Sequence, residues 1–344
     1  MGDILHALPA VTALRQAHPG WVIDWVVEPV WRALLSAEPS GERPVRSPAQ
    51  PVVDNLHLAP TKAWRRNPLS HRTIGEISDL RKKLKAQTYD AVLDLQGAVR
   101  SAVVGRLTGC RRRIGEAEPR ERAARWLFTE HVTTHGAHVI EQDVELAEAV
   151  AGDVLGFKKP WLPVDAAAEA WCDELLGEEI EDPVVLLNPG AGWGAKRWPA
   201  DRYAAVAAAL ADGGFRILVN SGPGEESLAH TIRNQSRGAA TPLKCSLAQL
   251  IALTRRVALV IAGDTGPLHL ACALGRPVVG IYGPTDPTRN GPFGTRSRVL
   301  RSPDSRRDHT RHEAPEAGLL TISPQNVLEA AAELLSEENE ESLR

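Results

Sequence analysis

The sequence predicts an α/β protein made of two Rossmann-like domains facing across a cleft. Short, continuously apolar segments alternate with amphipathic helical stretches through both halves, the pattern of parallel strands covered on both faces by crossover helices. The chain has 344 residues, enough for two domains of ordinary size. The alternation is plainest in the second half, with strands expected at 184–187, 216–220, 258–261 and 277–282 and helices at 202–212, 225–235 and 247–256. The first half reads as a helix over 4–18, strands at 21–27 and 90–95, and helices at 72–86 and 143–155. Residues 39–60 are Pro-rich and read as loop with one short strand, and the two prolines of 158–163 mark a linker. The expected division is therefore an N-terminal domain (1–157), a linker (158–165), a C-terminal domain (166–322), a final helix (323–335) and an acidic tail (336–344).

Composition narrows the function classes. The chain is 43% hydrophobic and 24% charged, normal for a globular protein, and its 40 basic and 43 acidic residues leave a net charge of −3. Nucleic-acid binding through bulk charge is not expected. No apolar run approaches the roughly 20 residues needed to span a bilayer. Cys110, Cys172, Cys245 and Cys272 are scattered, so no zinc or disulfide framework is indicated and no metal is expected.

The stretch Ala262-Gly263-Asp264-Thr265-Gly266-Pro267-Leu268-His269-Leu270 carries the most information. It joins an expected strand to an expected helix, so the turn aims free backbone N–H groups and the positive end of the helix dipole at one point. An anion, most often a phosphate, belongs there. The plainer alternative is that Asp264 and Thr265 only cap the helix.

A second anion-binding element precedes it. Asn188 ends an expected strand, and Gly190, Gly192 and Gly194 then allow close backbone approach beside Lys196 and Arg197. A lysine here would neutralise a departing diphosphate; otherwise the loop is flexible and its cations solvated. Ser221-Gly222-Pro223-Gly224-Glu225-Glu226 also follows a strand. A glutamate there accepts from ribose hydroxyls in dinucleotide folds, or serves only as a first-turn acid. Asp3, just before a helix, reads by spacing alone as an N-capping aspartate, with a general base as the alternative. Trp64-Arg65-Arg66 and the run from Arg111 to Arg125, including Arg120, are basic clusters in loop-like stretches, suited to phosphates and carboxylates or simply solvated.

Four motifs occur in an order that resembles glycosyltransferase family 9, the lipopolysaccharide heptosyltransferases. They are Gly2-Asp3-Ile4-Leu5-His6-Ala7-Leu8-Pro9-Ala10, Asp94-Leu95-Gln96-Gly97, Lys196-Arg197-Trp198-Pro199 and Asp264-Thr265-Gly266-Pro267-Leu268-His269-Leu270-Ala271. The similarity runs from Gly2 to about Leu335; Asp24-Trp25-Val26-Val27-Glu28 and Gly283-Pro284-Thr285-Asp286-Pro287 look most like the heptosyltransferase I group. The resemblance implies a GT-B fold with the nucleotide-sugar on the C-terminal domain. It implies metal-independent, inverting transfer of L-glycero-D-manno-heptose from ADP-heptose to Kdo of Kdo-lipid A, with no separate cofactor. Asp3 then becomes the general base and Lys196 the phosphate clamp. Thr265, Gly266 and Pro267 form the diphosphate turn, with Asn188, Asp264 and His269 in the same pocket. Glu226, or its neighbour Glu225, holds the ribose. Arg65, Arg66, Gln96 and Arg120 meet the acidic acceptor. Domain closure is expected to bring donor and acceptor together and exclude water.

Because that acceptor is a membrane lipid, the resemblance implies a cytoplasmic enzyme held peripherally on the inner membrane, with Trp64 to Arg66 as a contact. The rival readings are a heptosyltransferase acting on a later core heptose, a GT-B sugar-nucleotide epimerase needing no acceptor, and a nucleotide-binding scaffold without transfer activity. Members of the family begin with a strand and a Ser-rich loop ahead of Gly-Asp, whereas this chain opens at Met1-Gly2-Asp3. That strand is central in the family's N-terminal sheet, so its absence exposes unpaired backbone groups. A form extended upstream is expected to melt at higher temperature and to turn over faster; equal melting temperature and activity for the two forms overturns this.

Overall fold

The computed structural model describes residues 1–38, 46–177, 182–307 and 312–342. The Pro-rich stretch expected as loop lies partly outside these, at 39–45. The chain divides into an N-terminal unit ending at Pro163 and a C-terminal unit, Val164–Arg344.

The C-terminal unit is a doubly wound parallel sheet. In chain order it contains α6 (Ala166–Leu176), β6 (Val184–Asn188), α7 (Ala200–Asp212), β7 (Arg216–Asn220), α8 (Glu226–Gln235), β8 (Ala240–Leu243), α9 (Leu247–Thr254), β9 (Leu259–Gly263), α10 (Gly266–Ala273), β10 (Val278–Tyr282), α11 (Pro287–Asn290), β11 (Ser297–Arg301) and α12 (Pro324–Ser342); among the described residues five helices and five strands precede them in the N-terminal unit. Its strand order, β11-β10-β9-β6-β7-β8, is the Rossmann order read from the far edge. The chain starts in the middle at β6, winds outward to β8, returns to β9 beside β6, and winds out the other way. The order reverses between β6 and β9, which opens a crevice beyond their carboxyl ends. β6, β9 and β10 are buried at every position, as apolar runs between two helical layers must be. One core joins Val185, Leu187, Ile261 and Ile281 of the sheet to Tyr203 and Val206 of α7 and Val327, Ala331 and Leu334 of α12. Trp198 closes it, edge-on to Tyr203 at 4.9 Å and donating from Nε1 to the Ile322 carbonyl at 3.0 Å. The final helix runs past Leu335 to Ser342, so much of the expected acidic tail is helical; Glu has high helix propensity.

The N-terminal unit contains α1 (Gly2–Ala17), β1 (Asp24–Val27), β2 (Asn55–Leu58), α2 (Thr61–Arg66), α3 (His71–Ala86), β3 (Val92–Leu93), α4 (Val99–Leu107), β4 (Arg113–Glu116), β5 (Glu130–Val132) and α5 (Val139–Ala151). Among the described residues its strands form two parallel sheets, β1-β2 and β3-β4-β5, not one. Side chains tie the strand starts together: Tyr89 Oη donates to Asp24 Oδ2 at 2.7 Å, and Asn55 Nδ2 to Asp24 Oδ1 at 2.7 Å. Burial pushes the Tyr89 phenol up, and its bond to Asp24 adds to that.

Arg15, on the buried side of α1, is almost inaccessible, and its guanidinium satisfies four oxygens. Nε donates to Val52 O at 2.9 Å, Nη1 to Trp21 O at 2.6 Å and Pro19 O at 3.2 Å, and Nη2 to Asp54 Oδ2. Asp54 Oδ2 also accepts from Ile23 N at 2.8 Å, so one buried ion pair fixes where β1 begins. Asp54→Ala should destabilise the N-terminal unit by about 3–5 kcal/mol, because it strands a buried guanidinium. Arg46 also pairs with Asp54, at 3.3 Å but on the surface, and Arg46→Ala should cost less than about 1 kcal/mol; urea unfolding of the two variants gives the comparison.

Candidate active site

The crevice between β6 and β9 collects the donor-side residues. Asn188 ends β6, nearly inaccessible, and its Oδ1 accepts from Asn220 Nδ2 at the end of β7 at 2.8 Å. Asn188 Nδ2 is buried and has no hydrogen-bond partner. From the loop after β6, Lys196 Nζ donates to Asp264 Oδ2 at 2.5 Å, and His269 Nε2 lies 3.2 Å from Asp264 Oδ1. The Lys196 ammonium also stands 5.3 Å from the centre of the Trp193 ring. Gly263 lets this happen: a Cβ there would stand 3.3 Å from the Lys196 carbonyl oxygen.

The Asp264 side chain is only 10% exposed. Burial would raise its carboxyl; the hydrogen bond with His269 and the charge of Lys196 reverse that and hold it well below the ordinary carboxylate range. Since both Asp264 oxygens are engaged by side chains, it does not cap α10. Thr265 occupies the N-cap position without a side-chain cap, and its hydroxyl donates back to Gly263 O at 3.2 Å. The amino terminus of α10 therefore carries no side-chain cap, so neither Asp264 nor Thr265 caps it. Pro267 within the first turn has no N–H to satisfy.

The glycine loop is pinned by Arg197, whose Nη2 donates to Ala191 O at 3.1 Å. Glu225 Oε2 accepts from Gly222 N at 3.2 Å and lies where a Cβ on Gly190 would be, 2.0 Å from the ideal position. Glu225 thus faces the loop after β6, while Glu226 points to Lys244 Nζ at 2.8 Å on the exposed surface. That bond to Lys244 lowers the Glu226 carboxyl. Sequence reasoning passed over Trp193 and the pin made by Arg197; an aromatic and a cation inside a glycine loop are the signals that would have found them.

The acceptor-side residues meet in the N-terminal unit. Asp3 lies in the first turn of α1 with its side chain 52% exposed; Gln96 Nε2 donates to its Oδ2 at 2.9 Å, and Arg120 Nη1 stands 3.7 Å away. No side chain caps α1, so Asp3 does not serve as its N-cap. Gln96 is placed by Asp94, whose Oδ1 accepts from both Gln96 N and Gly97 N at 2.9 Å. Burial raises the Asp94 carboxyl. Gly97 adopts φ +62°, and a Cβ on it would sit 3.0 Å from Arg120 N, so only glycine lets the two loops close together. Glu121 N then donates to Gly97 O at 2.9 Å, and Glu121 Oε2 accepts from Val99 N at 2.8 Å. The Asp-x-x-Gly spacing after a strand is an Asx-turn signal, which sequence reasoning took only as a motif of the resemblance.

Arg65 and Arg66 end α2, exposed, and among the described residues they make no ion pair and do not touch Asp3, Gln96 or Arg120. Trp64, expected with them on an exposed basic-aromatic surface, is 8% exposed: its ring packs on Leu80 and Leu84, and Nε1 donates to Glu76 Oε2 at 2.8 Å. The stretch is a helix whose apolar ring belongs to the core. The exposed apolar residue near the two arginines is Leu69, at 86%. Among the described residues no group of three or more His, Cys, Asp and Glu side chains is arranged to hold a metal ion.

The model of glycosyltransferase family 9 (heptosyltransferase) matches residues 77–319. Lipopolysaccharide heptosyltransferase 1 of Escherichia coli is 31% identical over 97% of this chain and 97% of its own. The enzyme of that name from a second Escherichia coli strain is 32% identical over 88% of this chain and 89% of its own. Among solved structures, the E. coli heptosyltransferase WaaC with ADP-2-deoxy-2-fluoro heptose superposes with a TM-score of 0.77 at 27% identity, covering 97% of this chain and 96% of that one. The chain belongs to glycosyltransferase family 9: it is a glycosyltransferase of GT-B fold, with its greatest likeness to heptosyltransferases.

The depressed Asp264 carboxyl links the pocket to stability. A group whose folded pKa lies below its unfolded value contributes stability that is complete above the unfolded value, 3.8, and drains away as pH falls beneath it. Asp264→Asn cannot lose that contribution in acid. The gap in melting temperature between the parent protein and Asp264→Asn should be constant above about pH 5 and shrink below about pH 4; calorimetry over that range checks the sign.

Proposed function

We propose that this protein transfers L-glycero-D-manno-heptose from ADP-heptose to a Kdo sugar of Kdo-lipid A, with inversion and without a metal. The observation that carries the reading is the Lys196–Asp264–His269 cluster set at the uncapped amino terminus of α10. It is a site for a diphosphate, and the similar WaaC structure holds an ADP-heptose analogue.

The donor diphosphate lies along Thr265, Gly266 and Pro267, against Lys196. One of the three ammonium protons of Lys196 is given to Asp264, which leaves two for phosphate oxygens. Asn188 contributes its unpartnered amide, and Glu225 or Glu226 the ribose contact. On the N-terminal unit, Gln96 and Arg120 flank Asp3 and orient its carboxylate. In the transfer, the acceptor hydroxyl oxygen bonds to the anomeric carbon and Asp3 takes its proton. The bond from that carbon to the phosphate oxygen breaks, and its electron pair leaves with ADP. Lys196 and the α10 amides stabilise the charge that develops on the leaving group. Arg65, Arg66 and Arg120 receive acceptor carboxylates and phosphates. No helix among the described residues is long and apolar enough to cross a membrane. We place the enzyme in the cytoplasm, peripheral on the inner membrane, with Arg65, Arg66 and Leu69 as one contact.

Asp3→Asn should lower kcat by about 10²–10⁴-fold while leaving ADP affinity within a factor of two or so. Lys196→Ala should raise the donor KM and lower kcat together, because the ammonium binds the diphosphate in the ground state and holds it more strongly as charge develops on the leaving group. Steady-state kinetics with Kdo-lipid A and with heptosylated lipid A in parallel tests the acceptor: turnover only on the heptosylated form overturns Kdo as acceptor, and consumption of donor with no acceptor present overturns transfer. Unchanged kcat in Asp3→Asn removes the base assignment.

A further inference from the structure

The 3-10 turn Arg122–Leu127 is packed on one side and bare on the other two. With three residues per turn, its side chains form three rows. Ala124 and Leu127 face inward, joining Phe128 against Val99 and Ala102 of α4. Arg122 and Arg125 form a second row, and Ala123 and Trp126 the third, all exposed. The Trp126 side chain is 86% exposed. Tryptophan is highly buried on average, and an indole presented bare to water has a use for its apolar face.

The turn is held firmly. Arg113 Nε donates to Leu127 O at 2.8 Å, Ala124 N to Glu121 O at 2.8 Å, and Glu121 is tied to Gly97 in turn. The indole is thus presented on a fixed support. Its surroundings are cationic: positions 98–128 hold eight arginines and three glutamates in a chain of net charge −3. Among the described residues, exposed Arg100, Arg106, Arg111, Arg122 and Arg125 make no ion pair with a carboxylate, whereas Arg112 is paired with Glu130. Arg111 runs beside the same segment, its carbonyl accepting from Thr129 Oγ1 at 2.9 Å.

We propose that this turn docks the protein on an anionic lipid bilayer, with Trp126 seated in the headgroup–acyl boundary and Arg122, Arg125 and Arg111 on lipid phosphates. Indole rings prefer that boundary, and guanidinium groups pair with phosphate in a bidentate fork. The surface is distinct from Arg65, Arg66 and Leu69. It leans on the proposed transfer to a lipid acceptor for its purpose only.

The test uses the whole chain and vesicles of phosphatidylcholine with or without about one third phosphatidylglycerol. The parent protein should sediment with the anionic vesicles, and lipids brominated on the acyl chain should quench part of its fluorescence. Trp126→Ser should weaken partition about tenfold and abolish that quenched fraction, with melting temperature unchanged. Each of Arg122→Ser and Arg125→Ser should weaken partition about fivefold on anionic vesicles alone. Turnover on a deacylated, water-soluble acceptor should be the same in all three variants, and its loss in the parent protein would indict the transfer reading without touching the vesicle result. Undiminished partition of Trp126→Ser, or the same quenching in its presence and absence, overturns the proposal. Preferential binding of single-stranded RNA over anionic vesicles at the same salt overturns it as well.

Discussion

The crevice of the C-terminal sheet depends on one buried carboxylate. Asp264 is desolvated, which by itself favours its neutral form, yet it stays ionised because Lys196 and His269 close on its two oxygens. The trade is stable only as a set. Removing Lys196 leaves a buried anion short of a counter-charge; removing Asp264 frees an ammonium to swing toward solvent. Asp264 makes no cap to α10 in this arrangement, and in the proposed function its uncapped amino terminus receives the diphosphate. Structural pairing and ligand capacity are two results of the same geometry.

The acceptor half rests on backbone geometry more than on charge. Asp3 is half exposed and held lightly, by an amide and a more distant guanidinium. What is firm is the support beneath: the Asx-turn of Asp94, the left-handed Gly97, and the lacing of Glu121 to Gly97 and Val99. In the proposed transfer, a half-exposed carboxylate on such a frame has its position supplied by the frame.

How much of this was legible in the sequence follows from range of interaction. β6, β7, β9 and β10 and the helices α7, α8 and α9 were read to within a few residues because the strands are apolar runs with both faces buried, whereas the partly exposed edge strands β8 and β11 and the helices α6 and α11 were not read. β3 lies inside the strand expected at 90–95 but keeps only two of its residues, while β4 and β5 are four and three residues long, carry no period and vanish into loop-like sequence. The helix α2 was missed for the opposite reason: Trp64 and its arginines look like a surface cluster until α3 is known to lie against the ring. Asp264, Lys196 and Asp3 were found by motif, and what no motif conveys is that Lys196 bonds to Asp264 or that Gln96 bonds to Asp3. Those pairings join positions far apart in the chain and exist only once the sheets have formed.

The sheet order has a temporal side. β6 pairs with β7 and β9, and the lysine that follows β6 meets its counter-ion 68 positions downstream. A ribosome adding about 5–20 residues per second would need roughly 3–14 s to bring that partner out after the lysine. Throughout that interval β6 has at least one edge unpaired, and both until β7 emerges, and Lys196 lacks Asp264. The Lys196–Asp264 pair can therefore close only once β9 has emerged, and a chain halted within α8 or β8 carries the glycine loop without the counter-ion of its lysine.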